Sequence, residues 1–138
     1  MVKTFKELQE VDILVGALYE KNPGLKDSKF GYSYKRFVEK NYVTHLREFQ
    51  HEINDVRIDN AMEDPKTKEV LRDPTDNRGF KYTKEGLKKV IEQENEIIAR
   101  WDVKEIEVEP YNCPVESLPT LTEGQVELLI GVLIAEAQ

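Results

Sequence analysis

Two stretches of the chain repeat apolar residues in alternating steps of four and three, and this spacing constrains the fold more than any other feature. The first stretch spans residues 34 to 62 and the second residues 87 to 101. At about 100° per residue, such positions form one narrow stripe on a helix, and a partner must cover that stripe. We therefore predict two long helices that pack on each other as an antiparallel hairpin. The heptad seam consists of Val38, Tyr42, Leu46, Phe49, Ile53 and Val56 in the first helix and of Leu87, Ile91, Glu94, Ile98 and Trp101, with Val90 and Ile97 beside them, in the second.

The segment between the two helices contains two prolines, and the short runs "EVLR" and "FKYT" lie on either side of "DPTDN". This pattern predicts strand, turn and strand, so that the helical hairpin carries a small β-hairpin tip. A two-stranded ribbon alone is marginal in water, so other residues cover the tip or it stays mobile until a partner binds. We predict that residues 65 to 82 bind a protein partner, with contacts from Leu71, Asp76, Arg78, Phe80 and Tyr82.

The most aliphatic segments are "DILVGAL" at residues 12 to 18 and "ELLIGVL" at residues 127 to 133, each with a central glycine. Thr4 with Glu7, and Thr122 with Gln125, have the spacing of capping boxes, which predicts a first helix to about Lys21 and a last helix to the C-terminus. A helix that is apolar on all sides must be covered on all sides, so we expect the two helices to pack glycine to glycine. Any part left uncovered would become a subunit interface of a homo-oligomer. The candidate interface residues are Leu14, Gly16, Leu18, Leu129, Gly131 and Leu133.

The segment "VKEIEVEP" changes to a period of two, which predicts one short strand. Ile106 and Val108 lie on one face, and an acidic row of Glu105, Glu107 and Glu109 lies on the other. The predicted fold class is mainly α with minor β (α+β), in a single domain over residues 1–138. The order of elements is helix, long helix, β-hairpin, helix, strand and helix.

The chain has 27 acidic and 20 basic residues and a net charge of -7, so contact with phosphate backbones is disfavoured and nucleic acid is an unlikely partner. The basic group Lys81, Lys84, Lys88 and Lys89 is interpreted as a solvated face. No apolar stretch approaches the roughly 20 residues that span a bilayer, so no membrane partner is expected. A single cysteine and a start without a secretory pattern predict a cytoplasmic protein.

His45, Glu48, His51 and Glu52 offer metal ligands within two helical turns. His51 points about 120° away from His45, however, so these side chains do not converge on one ion. Cys113 has no activating partner suggested by the sequence. We therefore predict no metal, no cofactor and no enzymatic activity.

Glu94 lies at the centre of the heptad seam, where a carboxylate needs a polar partner. Pairing of the two helices is expected to bring it near Phe49 and within about a turn of His45. A carboxylate next to an imidazole could act as a tuned acid or base. We favour a buried polar pair that fixes the register of the helices, because no cleft or second catalytic group is visible.

The segments "FVEKNYVTHLREFQHEI", "DPTDNRGFKYT", "TKEGLKKVIEQENEI" and "VKEIEVEP" follow one another in a layout that resembles small proteins encoded by tailed bacteriophages. This resemblance implies an accessory role in particle assembly or in interference with a host protein. The predicted function is a non-enzymatic protein-interaction module, acting as an oligomer in the bacterial host cytoplasm or in a virion. The alternative is an inhibitor of a host nucleic-acid-handling protein, in which the acidic row imitates phosphates.

Overall fold

The structure is a computed structural model and describes residues 1–135. It is mainly helical with a small antiparallel sheet, which confirms the predicted fold class. Short 3₁₀ turns at Pro23–Asp27 and Val115–Ser117 supplement the regular elements. In chain order these are β1 (Val2–Thr4), α1 (Phe5–Lys21), α2 (Lys29–Asn41), α3 (Val43–Asn60), α4 (Lys84–Asp102), β2 (Glu105–Glu107) and α5 (Glu123–Leu129).

The chain divides into two compact units, each described by itself. Unit 1 consists of Met1–Leu46 together with Asp102–Gln138, and unit 2 consists of Arg47–Trp101. Unit 1 contains the sheet and the first, second and last helices, whereas unit 2 contains most of α3 and α4 with the connecting tip. The single domain over residues 1–138 stays a prediction.

Helix α1 begins at the predicted cap. The Thr4 hydroxyl accepts a hydrogen bond from the Glu7 amide at 3.1 Å, and the Glu7 carboxylate accepts one from the Thr4 amide at 3.0 Å. Two amides that have no partner within the helix are satisfied in this way. The helix is not covered on all sides, because Ile13 is 72% exposed and the buried residues form a single stripe. That stripe consists of Phe5, Leu8, Val11, Val15 and Leu18.

The prediction of one continuous helix from Tyr34 to Met62 is wrong, because the chain forms α2 and α3 with an interruption at Tyr42. The backbone of Tyr42 has φ −121° and ψ −41°, outside the helical range. Next to it, the Asn41 side chain both donates to the Glu109 carbonyl and accepts from the Glu109 amide, each at 2.8 Å. A buried asparagine held by a distant backbone segment fixes the chain at this point. The heptad spacing, which runs without a break in the sequence, is therefore divided between two separate helices.

The sheet of unit 1 pairs β1 with β2 in antiparallel register, with Lys3 opposite Ile106. Strand β2 was predicted, and its alternation is confirmed because Ile106 and Val108 are each 4% exposed. Strand β1 was not predicted, because three residues are too few to show a period of two.

The last helix begins at the predicted Thr122 and Gln125 capping box but ends at Leu129, so the prediction that it reaches the C-terminus is wrong. Gly131 has φ +82°, a left-handed conformation that closes the helix into a turn. In this turn the Leu129 carbonyl accepts hydrogen bonds from the amides of Val132, Leu133 and Ile134. Residues 136–138, which the predicted helix also included, lie outside the described residues.

The predicted contact between the first and last helices is confirmed, since α1 packs against α5. The predicted glycine-to-glycine geometry is wrong. Gly16 is exposed and a Cβ built on it meets no atom within 4 Å, whereas a Cβ on Gly131 would meet Met1 Sδ at 2.1 Å. Aliphatic side chains, rather than paired glycines, therefore make this contact.

Gly31 lies where α2 begins and packs on the 3₁₀ turn that precedes it. A Cβ on Gly31 would lie 2.1 Å from the carbonyl oxygen of Lys26, which is backbone and cannot move aside cheaply. The neighbouring Leu25 and Phe30 side chains are buried. Gly31 therefore allows α2 to approach the turn and close this part of unit 1.

We expect Gly31→Ala to lower the free energy of unfolding by about 2–3 kcal/mol, because the added methyl group overpacks a backbone contact. Urea unfolding followed by circular dichroism measures this loss. Gly16→Ala is the matched control and should raise stability by about 0.5–1 kcal/mol, since an exposed helical glycine gains helix propensity. Equal effects of the two substitutions would contradict the proposed close approach.

Candidate interaction surfaces

The terminal segments predicted as a subunit interface lie mainly inside unit 1. Leu129 and Leu133 are fully buried, Leu18 is 9% exposed, and Gly131 is buried as well. Leu14 is half-buried and Gly16 is exposed. Buried side chains are not available to a second subunit, so four of the six candidate interface residues are core residues of the folded chain.

The tip of the helical hairpin is less regular than the predicted β-hairpin. The runs "EVLR" and "FKYT" meet at one antiparallel bridge between Arg72 and Phe80, with a hydrogen bond from the Lys81 amide to the Leu71 carbonyl. A second bridge joins Glu63 to Val70. The predicted pairing direction is therefore correct, but the strands are reduced to isolated bridges.

The side chains predicted to bind a partner at the tip make contacts inside unit 2. Phe80 is 3% exposed, and the Arg72 guanidinium lies over its ring at 4.8 Å. The Tyr82 hydroxyl donates to the Arg57 carbonyl at 3.3 Å, and Leu71 is half-buried. The sequence left open whether the tip is covered or mobile until a partner binds, and these contacts cover it.

Two Asp-Pro turns shape the tip, as predicted for "DPTDN". The Asp64 carboxylate accepts hydrogen bonds from the amides of Thr67 and Lys66, which hold its pKa below the ordinary value. The Thr75 hydroxyl and amide likewise hold the pKa of the Asp73 carboxyl below its ordinary value. The Asp76 carboxylate accepts from the Arg78 amide at 2.7 Å. These acidic side chains therefore serve local turn geometry.

Glu94 is buried in unit 2, with 6% of its surface exposed. One carboxylate oxygen accepts a hydrogen bond from Arg57 Nε at 2.7 Å, and the other accepts one from Arg78 Nε at 2.8 Å. The need for a polar partner was therefore predicted correctly, but the predicted partner, His45, was wrong. Arg57 lies on α3 and Arg78 at the tip, so one carboxylate joins three segments of unit 2.

The register of the two helices explains the wrong partner. Trp101 packs edge-on against Phe49, with ring centroids 5.9 Å apart, and its indole N–H donates to Glu52. The heptad spacing instead predicted that Glu94 lies near Phe49. Glu94 pairs with Arg57, eight residues further along α3, a displacement of about 12 Å. Sequence spacing alone gives the period of a helix pair but not its register.

The rotation of α4 also differs from the predicted seam. The buried residues of this helix share one face at helical spacing, and they are Val90, Glu94, Ile97 and Trp101. Three aliphatic residues that were predicted to face the partner helix lie beside this buried face and remain open to solvent. They are Leu87, Ile91 and Ile98, which are 36%, 41% and 41% exposed, and we call them the α4 stripe.

Helix α3 covers little of this surface. The structure describes all 18 residues of this helix, and none of them is buried. Its seam residues Phe49, Ile53 and Val56 are only half-buried. The two long helices therefore meet along a thin contact, and apolar surface remains open on α4.

The predicted acidic row is exposed on the outer face of the strand segment, but two of its carboxylates have cationic partners. Glu107 lies 3.2 Å from the amino group of Met1, and Glu109 lies 3.7 Å from Lys40 Nζ. Glu105 is exposed at the start of β2. A row in which two of three charges are paired resembles a phosphate backbone less than the sequence suggested.

In residues 1–135, no three side chains of His, Cys, Asp or Glu are grouped closely enough to hold a metal ion. Cys113 is buried, and this burial raises the pKa of its thiol, with the charge of Glu116 as a second cause. A raised pKa lowers the thiolate fraction that a nucleophile needs. No helix in the same part of the chain combines the length and apolar character that crossing a membrane requires.

Comparison of the chain with models of protein families, with curated proteins and with solved structures found no match.

We expect Glu94→Gln to lower the free energy of unfolding by about 2–3 kcal/mol, because Arg57 and Arg78 would face each other without a counter-charge. The cost is below that of a fully buried pair, since both arginines are partly exposed. Denaturant unfolding followed by Trp101 fluorescence measures the loss within the same unit. Glu92→Gln, an exposed change on the same helix, should stay within about 0.5 kcal/mol. A Glu94→Gln effect as small as that would refute the central role of this carboxylate.

Proposed function

We propose that this protein is a non-enzymatic interaction module that associates with a second copy of itself through the α4 stripe. The observation that carries the proposal is that Leu87, Ile91 and Ile98 are 36% to 41% exposed. The neighbouring helix α3, all of which the structure describes, has no buried residue of its own. A row of aliphatic side chains at helical spacing is the surface that a partner helix covers. Two copies of the same stripe are complementary in chemistry and in length.

The charges beside the stripe favour an antiparallel second copy. Lys84, Lys88, Glu92 and Glu96 follow one another in steps of four, so they form one exposed row along α4. This row is basic at the start of the helix and acidic further along. An antiparallel copy sets unlike charges opposite each other, whereas a parallel copy sets like charges together. The row ends at Arg100, which pairs with Glu52 of the same unit.

The exposed area supports a reversible association. Fully burying one aliphatic side chain contributes about 1.5–3 kcal/mol, and the stripe residues are already more than half covered. The remaining gain must offset the loss of rotational and translational freedom on association. We therefore propose a concentration-dependent dimer, in agreement with the oligomer expected from the sequence.

The biological setting is proposed on the resemblance in layout alone. It supports a bacteriophage accessory or virion-assembly protein that acts in the cytoplasm of a bacterial host. The phosphate-mimicking inhibitor receives less support, because Glu107 and Glu109 have cationic partners within unit 1. The α4 stripe supports the interaction module instead.

Light scattering coupled to size-exclusion chromatography tests the proposal. The unchanged chain should shift from monomer toward dimer as its concentration rises. The double variant Ile91→Gln with Ile98→Gln should remain a monomer over the same range, because both changes remove apolar contact area and keep a good helix former. The dissociation constant of the dimer should rise by about tenfold or more.

Ile13→Gln is the matched control. Ile13 is 72% exposed and lies on α1 of unit 1, away from the stripe in sequence. This variant should dimerise as the unchanged chain does. A chain that stays monomeric at every concentration, or a stripe variant that dimerises normally, would show that the α4 stripe is not a self-association surface.

A further inference from the structure

Unit 1 contains an open cleft of about 520 Å³ beside α1 and α2. Three tyrosines line it, Tyr19 from α1 and Tyr32 and Tyr34 from α2, and Val38 and Val43 add aliphatic surface. Tyr32 is 55% exposed, so its ring is accessible to a ligand. A concave site that combines several aromatic rings with charged side chains has the general character of a small-ligand site.

Asp12 places a carboxylate among these rings. The buried Tyr34 hydroxyl donates a hydrogen bond to Asp12 Oδ1 at 2.7 Å, and this bond fixes the orientation of the carboxylate. Asp12 itself is exposed to solvent. A charged oxygen held in place at the wall of a cleft is a preorganised electrostatic partner, because little ordering is needed when a ligand arrives.

The Asp12 charge is a second or later cause of raised pKa values at three nearby tyrosines. Burial raises the pKa of Tyr42 to about 12, and the Asp12 charge contributes as a second cause. The same two causes, in the same order, raise the pKa of Tyr19. For Tyr34, burial and the hydrogen bond to Asp12 raise the pKa. The part of these shifts that comes from the negative charge of Asp12 has the sign that also favours a bound cation.

The remaining charged residues of the cleft leave an acidic balance. Asp27 and Glu39 join Asp12 in the lining, against Lys26 and Lys35. Both lysines are exposed, and their long side chains can move away from a ligand, whereas the Tyr34 hydroxyl holds Asp12 in place. Tyrosine faces attract cations through the ring quadrupole, so rings and carboxylates favour the same class of ligand.

We propose that the cleft formed by Asp12, Tyr19, Tyr32 and Tyr34 binds an organic cation, namely an alkylammonium or guanidinium group. A free small-molecule amine or a Lys or Arg side chain of a peptide can carry this group. The positive charge would lie near Asp12 and against the tyrosine faces. The proposal is independent of self-association, because it rests on other residues in the other unit.

Nuclear magnetic resonance titration of the ¹⁵N-labelled full chain tests the site. The probes are tetramethylammonium chloride, N-acetyl-arginine amide and a short peptide with one internal arginine. Each should shift the amide signals of Gly31, Tyr32 and Lys35 in a saturable manner. If the peptide binds about tenfold more tightly than N-acetyl-arginine amide, the site is assigned to a polypeptide. If tetramethylammonium binds as tightly as the peptide or more tightly, the site is assigned to a free amine.

Asp12→Asn removes the charge and keeps an oxygen that can accept the hydrogen bond from the Tyr34 hydroxyl. Binding of N-acetyl-arginine amide should weaken by about tenfold. Glu10→Gln is the matched control, an exposed acid on the same helix outside the cleft lining, and should change binding by less than about twofold. Tyr32→Ala, which removes an exposed ring, should weaken binding by about threefold or more without loss of fold.

Three results would overturn the proposal. The first is an absence of shifts in the cleft amides at about 10 mM of every cationic probe. The second is a stronger response of the same amides to inorganic phosphate, which would assign the cleft to the two lysines. The third is unchanged affinity of the Asp12→Asn variant, with its spectrum showing an intact fold.

Discussion

The buried carboxylate of Glu94 organises unit 2. It accepts from Arg57 on α3 and from Arg78 at the tip, so its position determines where the helices align and how the tip closes on them. A buried charge with only one partner, or with none, would be strongly unfavourable, so alternative registers of the two helices are disfavoured. The long helices share few fully buried apolar residues, and this polar contact supplies specificity that their thin apolar contact cannot.

The same interaction has a consequence for the surface. With Glu94 and Trp101 turned toward α3 and the tip, Val90 and Ile97 complete the buried face of α4. Helical geometry then places Leu87, Ile91 and Ile98 on the adjacent face, toward solvent. The internal polar contact and the exposed aliphatic stripe are therefore two results of one rotation of the helix. The stripe on α4 is therefore a better candidate for a partner surface than the tip or the terminal segments, whose side chains are mainly engaged within their own units.

The sequence predicted elements better than their arrangement. Capping residues and a period of two located the starts of α1 and α5 and the strand at Ile106, because these signals are local. The break at Tyr42 and the partners of Glu94 depend on residues that are distant in sequence, such as Glu109 and Arg78. Neither appears as a pattern in the chain.

The cleft of unit 1 was missed for a related reason. The Asp12 and Tyr34 side chains, 22 residues apart, meet only after α1 and α2 have packed around the intervening turn. The stripe residues were identified in the sequence, but as core positions. Hydrophobic spacing shows that a face needs a partner without showing whether that partner is in the same chain.

Trp101 is the single tryptophan of the chain, and it lies in unit 2 against Phe49. Tyr19, Tyr34 and Tyr42 lie in unit 1. The tryptophan therefore lies in one unit and most of the tyrosines lie in the other, with Tyr82 as the exception. Indole emission reports the melting of one half and phenol absorbance chiefly that of the other, so a single sample reveals whether both lose structure in one cooperative step.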